Sequence, residues 1–454
     1  MSLPEGPLVA WYGDDFTGSA AVMEVLTFAG FPSALFFEPP TPERLARIAG
    51  LRGVGVAGDA RTRSPAWMAE HLPPVFAALR GIGAPILHHK ICSTLDSAPH
   101  VGSVGAAADL ALGPGEWAPL IVAAPEIGRW QAFGTLFAAA GAEVHRLDRH
   151  PTMAVHPVTP MDEADVRRHL ARQTARRVGL VDLRALKAGR GAAALAAERE
   201  VGATVVALDV VDDETLEAAG RLVWEEACSR PLFVIGSQGI EYALVAAWRA
   251  SGLAAPATEP PRARPAERVA VVSGSCSPVT AEQIRCAEAR GFAPIRLDPR
   301  AVLDPASWAA ERARAARAAL AALGEGRDPI VCTALGPDDP SVAAFRAATC
   351  AAGTAPEAAN ARLGQGLGDV LSDVIREAGL SRAAIAGGDT SSAAAAALGL
   401  WAVTAEAALA PGAPLLRGHG EGPTDGIEVA LKGGQMGTPD FFSRLRAGGP
   451  GGRT

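Results

Sequence analysis

The sequence predicts an α/β protein of two domains, each a mostly parallel sheet flanked by helices, with ligands in the cleft between the domains. Three observations predict it. Short apolar runs alternate with longer stretches of helical periodicity, the pattern of doubly wound sheets. A Pro-rich, aperiodic stretch at 253–267 interrupts that alternation once, after which it resumes. The chain of 454 residues is also longer than one hydrophobic core usually spans.

Taken in order, Leu8–Tyr12, Ala34–Phe37, Val54–Ala57, Pro85–His88 and Leu120–Ala123 read as buried strands, each bounded by Gly, Pro or charge. Gly18–Ala29, Pro65–Leu79 and Ala98–Leu110 between them have helical length and periodicity. Gly179–Leu183, Thr204–Leu208 and Leu232–Ile235 continue the strands, and a first domain over 1–252 follows. The stretch 253–267 is expected to be a linker. A second domain over 268–446 has strands at Arg268–Val272, Ala293–Arg296, Pro329–Thr333, Ala383–Ala386 and Gly426–Leu431, with a long helix at Pro305–Leu323. Residues 447–454 are Gly-rich and are expected to form a disordered tail. There is no internal repeat and no heptad run.

The composition, 49% hydrophobic and 20% charged, is that of an ordinary globular protein. A net charge of −7 argues against nucleic-acid or membrane-surface partners, so an anionic ligand would need locally placed cations. No apolar run has the length of a membrane helix, and the start lacks the basic head and cleavage site of a signal peptide. Six scattered cysteines without a CxxC pair read as free thiols. A cytoplasmic protein is expected, working on small molecules, and a homo-oligomer is compatible with this.

The residues suited to chemistry lie directly after predicted strands, where open α/β sheets bind ligands. Asp14 and Asp15 follow the first strand and open a helix. Either they cap that helix, or one of them orients or deprotonates a substrate hydroxyl. Arg61 and Lys90 stand at the ends of two further strands, with Ser93 and Thr94 just beyond. A Lys and an Arg so placed are suited to gripping a carboxylate. In the second domain three turns follow three strands: Ser273-Gly274-Ser275, Gly387-Gly388-Asp389-Thr390, and Lys432-Gly433-Gly434. Glycine admits close backbone approach to a phosphate, and hydroxyls and helix-start N–H groups supply donors. One such turn is weak evidence; three in one domain are stronger. None is a Walker A loop or a GxGxxG fingerprint, which disfavours a dinucleotide-dependent dehydrogenase. Adjacent His88 and His89 would point to opposite sides of a strand and cannot share a metal. No metal site is expected.

In combination, GDDFTGSA at 13–20, KICSTLDS at 90–97, HPVTPMDEAD at 156–165, GSQGIEYAL at 236–244, SGSCSPVT at 273–280, GGDTSSA at 387–393 and LKGGQMGTPDFF at 431–442 resemble the four-carbon acid sugar kinase family. The resemblance implies an N-terminal domain that binds a sugar acid and a C-terminal domain that binds ATP. It implies acid contacts from Asp14, Asp15, Arg61 and Lys90, with Ser93 and Thr94 nearby. Nucleotide contacts are implied from Ser273, Ser275, Gly387, Gly388, Asp389, Thr390, Gly433 and Gly434. Best-known members usually read ADD where this chain has Gly13-Asp14-Asp15, and GNFG where it has Gly434-Gln435-Met436-Gly437. The CSTLDSAPHVGSVG stretch looks more like a branch that includes kinases of 3-oxo-isoapionate. The implied reaction is transfer from ATP, with Mg2+, to a terminal hydroxyl of a threonate- or erythronate-type acid or of 3-oxo-isoapionate. Two residues compete for the catalytic base, Asp389 and Asp15. A protein that binds the same ligands without turnover is the alternative.

Overall fold

The computed structural model describes residues 2–449, apart from the side chains of 388–392. The chain divides into two compact units, Met1–Thr258 and Glu259–Thr454, each with its own run of strands.

The first unit contributes β1 (Val9–Gly13), β2 (Ser33–Phe36), β3 (Gly53–Ala57), β4 (Ile86–Lys90), β5 (Ala118–Ile121), β6 (Arg129–Ala132), β7 (Thr135–Ala140), β8 (Glu143–Arg146), β9 (Arg177–Val181), β10 (Ala203–Leu208) and β11 (Leu232–Gly236). Eight of these form a parallel array in the order β2-β3-β1-β4-β11-β5-β10-β9. Helices cover both faces, so central strands such as β1, β4 and β11 are buried at every position. That is why they read as continuous apolar runs rather than alternating ones. Tyr12, Phe76 and Phe233 pack around the imidazole of His89, which stacks nearly parallel to the Tyr12 ring. Burial in that aromatic box, with His88 and Lys90 nearby, holds His89 down to about 3, a neutral core histidine. His88, facing the other way, contacts Glu241 at 2.8 Å and the Gly236 carbonyl at 3.0 Å.

Strands β6, β7 and β8 form a separate antiparallel sheet that the sequence reading did not anticipate. The predicted helix Ala98–Leu110 begins only at Val104, with Ser103 as its cap. The preceding residues turn back so that Gly102 N–H donates to the Arg63 carbonyl.

The second unit holds β12 (Ala270–Ser273), β13 (Phe292–Arg296), β14 (Asp328–Cys332), β15 (Arg382–Ala386), β16 (Leu400–Ala410), β17 (Ala413–Gly420) and β18 (Glu428–Lys432). Their order is β13-β14-β12-β15-β18-β17-β16, parallel as far as β18 and antiparallel beyond it. The Pro-rich stretch is only partly free. Ala263 N–H donates to the Gly448 carbonyl, Ala266 N–H to Arg446, and Pro261 accepts from Ala408. Buried Arg382 ties the strap down, donating to the carbonyls of Arg264 and Leu445 and pairing with Glu428. The last helix, Phe441–Ala447, runs into the residues expected as a tail, and 450–454 of that tail lie outside the described residues.

Candidate functional site

In the first unit β1 lies between β3 and β4. The chain leaves β1 toward β2 and β3 on one side and returns to β4 on the other. The loops after β1 and β4 therefore flank a switch point at the carboxyl edge, where such sheets bind ligands. This edge is filled with charge. Arg61 donates to both oxygens of Asp14, through Nε at 3.2 Å and Nη2 at 2.6 Å, and Nη2 also reaches Asp15 Oδ1 at 2.7 Å. Asp15 is at the same time the helix cap, accepting from Gly18 N–H at 3.0 Å. Asp15 Oδ1 thus caps the helix and accepts from Arg61 at once. Lys90 is buried, and its Nζ donates to the Ile91 carbonyl at 2.7 Å. Gly18 leaves room for two of these groups: a β-carbon there would stand 2.4 Å from Asp15 Oδ1 and 2.5 Å from Lys90 Nζ.

Burial pushes the Asp14 carboxyl up, while Arg61 beside it pulls the other way. Burial also works against the Arg61 charge, yet Asp14 and Asp15 hold it well above its usual range. The fork expected to grip a ligand carboxylate is therefore largely engaged inside the protein. Arg61 Nη1 has no acceptor within hydrogen-bond distance among the described residues. Thr94 is buried and shares a hydrogen bond with Cys92 Sγ at 3.1 Å, and Ser93 is half-buried beside it. Neither bonds to the Asp14–Arg61 group among the described contacts. The HPVT segment reaches this loop, with Thr159 Oγ1 donating to Asp96 and contacting His156 Nδ1 at 2.8 Å.

In the second unit β12 is flanked by β14 and β15, and β15 by β18. The chain leaves β12 toward β13 and β14 and comes back on the other side at β15, a second switch point. The three glycine- and hydroxyl-rich turns all follow these adjacent strands. Ser273 and Ser275 are buried, and their hydroxyls accept from the N–H of Ser275 (3.4 Å) and Ser277 (3.1 Å) respectively. Gly387 has φ of 129°, a backbone conformation that favours glycine, and its N–H donates to the Lys432 carbonyl. Helix Gly388–Ala397 starts there; the side chains of Asp389 and Thr390 lie outside those described. Gly434 leaves room for its neighbour, since a β-carbon there would be 2.6 Å from Ser275 Oγ. Gly433 precedes it, half-buried.

Three residues of this edge were not singled out from sequence. Thr280 donates to the Gly434 carbonyl at 2.8 Å, buried Lys432 donates to Thr280 at 3.1 Å, and Gln283 donates to the carbonyls of Met436 and Thr438. Lys432 stood in a quoted motif, but a lysine ending a strand reads as a solvated charge.

A family model for a sugar-binding N-terminal domain matches residues 9–244, and one for a nucleotide-binding C-terminal domain matches 270–442. The chain belongs to the four-carbon acid sugar kinase family. It is 49% identical to a 3-oxo-isoapionate kinase of Paraburkholderia graminis over 98% of this chain and 95% of that one. It is 32% identical to a 3-oxo-tetronate kinase of Methylobacterium radiotolerans, over 95% and 96%. Solved structures share the fold: a Salmonella typhimurium protein with a TM-score of 0.75 and 23% identity, covering 96% of this chain and 98% of that one. A Haemophilus influenzae protein gives 0.72 and 24% with the same coverage. This family member is thus a carbohydrate-acid kinase. No helix among its described residues is long and apolar enough to cross a membrane.

Proposed function

We propose that this kinase transfers the γ-phosphoryl group of ATP to a terminal hydroxyl of a 3-oxo sugar acid, with 3-oxo-isoapionate the first candidate. The observation that carries the reading is the contrast between the two switch points, one lined with charged side chains and the other with glycine and hydroxyl turns. The 49% identity to a kinase named for 3-oxo-isoapionate supports this choice of acid.

We assign the acid to Asp14, Asp15, Arg61 and Lys90, with Ser93 and Thr94 at its edge. Arg61 Nη1 and the Lys90 ammonium face the ligand carboxylate, and the second oxygen of Asp15 takes a hydroxyl. The triphosphate is assigned to Ser273, Ser275, Gly387, Gly388, Thr390, Gly433 and Gly434. Asp389, at the first turn of helix Gly388–Ala397, is assigned as the base for the acceptor hydroxyl. Phosphoryl transfer depends chiefly on positioning and charge neutralisation. Mg2+ carried by the triphosphate supplies part of that neutralisation.

The test is ADP release by the purified chain given ATP, Mg2+ and threonate, erythronate, 3-oxo-tetronate or 3-oxo-isoapionate, with the phosphorylated position read by NMR. Turnover is expected to be fastest with a 3-oxo acid. If every acid leaves ATP untouched while both ligands bind, the chain is a binding protein and the kinase reading fails.

A further inference from the structure

Lys432 ends β18 with its side chain fully buried. Its Nζ has one oxygen acceptor, Thr280 Oγ1 at 3.1 Å, and lies 5.8 Å from the centre of the Phe441 ring. No carboxylate among the described side chains pairs with it. Burying an ammonium without a counter-ion is costly, and an apolar side chain of similar length would normally be the more stable choice. The cation nevertheless stands directly beneath the Gly433–Gly434 turn. Thr280, which accepts from Lys432, donates to the Gly434 carbonyl at 2.8 Å, and the Lys432 carbonyl accepts from Gly387 N–H at 2.9 Å. One residue thus braces two of the three turns, and its charge has no carboxylate partner among the described side chains.

We propose that Lys432 is a positioning residue for the nucleotide: through Thr280 it fixes the glycine turn, and its buried charge favours an anion bound at that turn. This rests on the kinase reading above. Burial lowers Lys432 to about 8, in keeping with a cation that has no carboxylate beside it among the described side chains.

The experiment compares wild type, Lys432→Met and Thr280→Val by calorimetric titration with Mg·ADP, by thermal unfolding, and by steady-state kinetics with both substrates. For Lys432→Met the expected result is a Tm equal to or above wild type, an ADP Kd and ATP KM raised about tenfold or more, and an acid KM changed by less than about twofold. Thr280→Val, which keeps the charge and cuts the relay, is expected to raise the ADP Kd by a smaller factor. A lowered Tm with unchanged ADP affinity in Lys432→Met would make the lysine a packing element and overturn the proposal. Should that variant not fold, an unchanged ADP Kd in Thr280→Val overturns it instead. A wild type that binds no nucleotide sinks the kinase reading itself, a result separate from any difference between variants.

Discussion

The two switch points share a topology and differ in what fills them. In the first unit Arg61 engages Asp14 and Asp15, Lys90 and Asp15 meet at Gly18, and much of this charge is neutralised within the protein. In the second, hydroxyls and glycines line three turns, and buried Lys432 has no carboxylate partner among the described side chains. The difference fits the ligands proposed above. A small acid needs charged and hydrogen-bonding groups held at fixed angles, and at the first edge side chains are fixed against one another. A polyphosphate is recognised by backbone N–H groups, so the second edge removes side chains.

The sharpest way to break this contrast is to remove the carboxylates one at a time. Asp389→Asn should lower kcat by on the order of 10²–10⁴ with little change in acid affinity, whereas Asp15→Asn should mainly raise the acid KM. The reverse pattern in steady-state kinetics would move the base to the first unit. Arg61→Met should strand the Asp14 carboxyl in the core and cost about 3–5 kcal/mol in denaturant unfolding. Adding Asp14→Asn to that variant should recover part of the loss, because the uncompensated charge is then gone; no recovery would mean the pair contributes only packing. Smaller effects are expected from Gly434→Val and Lys90→Ala, and they should be mirror images. The valine presses on Ser275 and should weaken nucleotide binding by about tenfold or more while sparing the acid, with Lys90→Ala doing the opposite. Titrating each variant with each ligand decides it.

Acid stability separates the units more gently. Burial depresses His89 to about 3 and His169 to about 4, below the usual 6.5. The stability tied to their neutral forms is complete above pH 6.5 and is lost as pH falls toward those values, about 1.4 kcal/mol for each unit of depression. The first unit should therefore loosen before the second on acidification, followed through tryptophan fluorescence, and His89→Phe should move its transition to lower pH. A second unit that unfolds first would contradict this.

Much of this architecture is legible in the sequence, because strands buried on both faces announce themselves as apolar runs. Of the first edge, Arg61 and Lys90 are visible as cations at strand ends, but that Asp14 occupies the Arg61 fork is a contact across 47 residues. The β6–β8 sheet escapes detection for a similar reason. Its hairpin turns at Phe133 and Gly134, both with positive φ, and phenylalanine is a poor local sign of such a turn. The conformation is imposed from afar by buried Asp209, which accepts from Phe133 N–H at 2.6 Å, Gly134 N–H at 2.9 Å and the Gln131 side chain. The late start of the helix at Val104 has a comparable origin. A β-carbon on Gly102 would lie 2.5 Å from the Arg61 carbonyl, so residues before the helix are committed to bracing Arg61. Lys432 and Thr280 were missed because a strand-end lysine and a helix-start threonine carry no local mark of joining one another.

The strap over 261–266 decides where this chain could be divided. Composition suggests a cut anywhere in the Pro-rich stretch, yet a fragment beginning at Val269 would forfeit the Arg264 carbonyl that Arg382 uses and the backbone bonds from Ala263 and Ala266 to the last helix. A guanidinium that is 2% exposed in the full chain would then lose an acceptor and part of its cover. A fragment beginning at Glu259 retains all of them. For separate expression or circular permutation, the working seam lies at Thr258, ahead of the prolines that carry the strap.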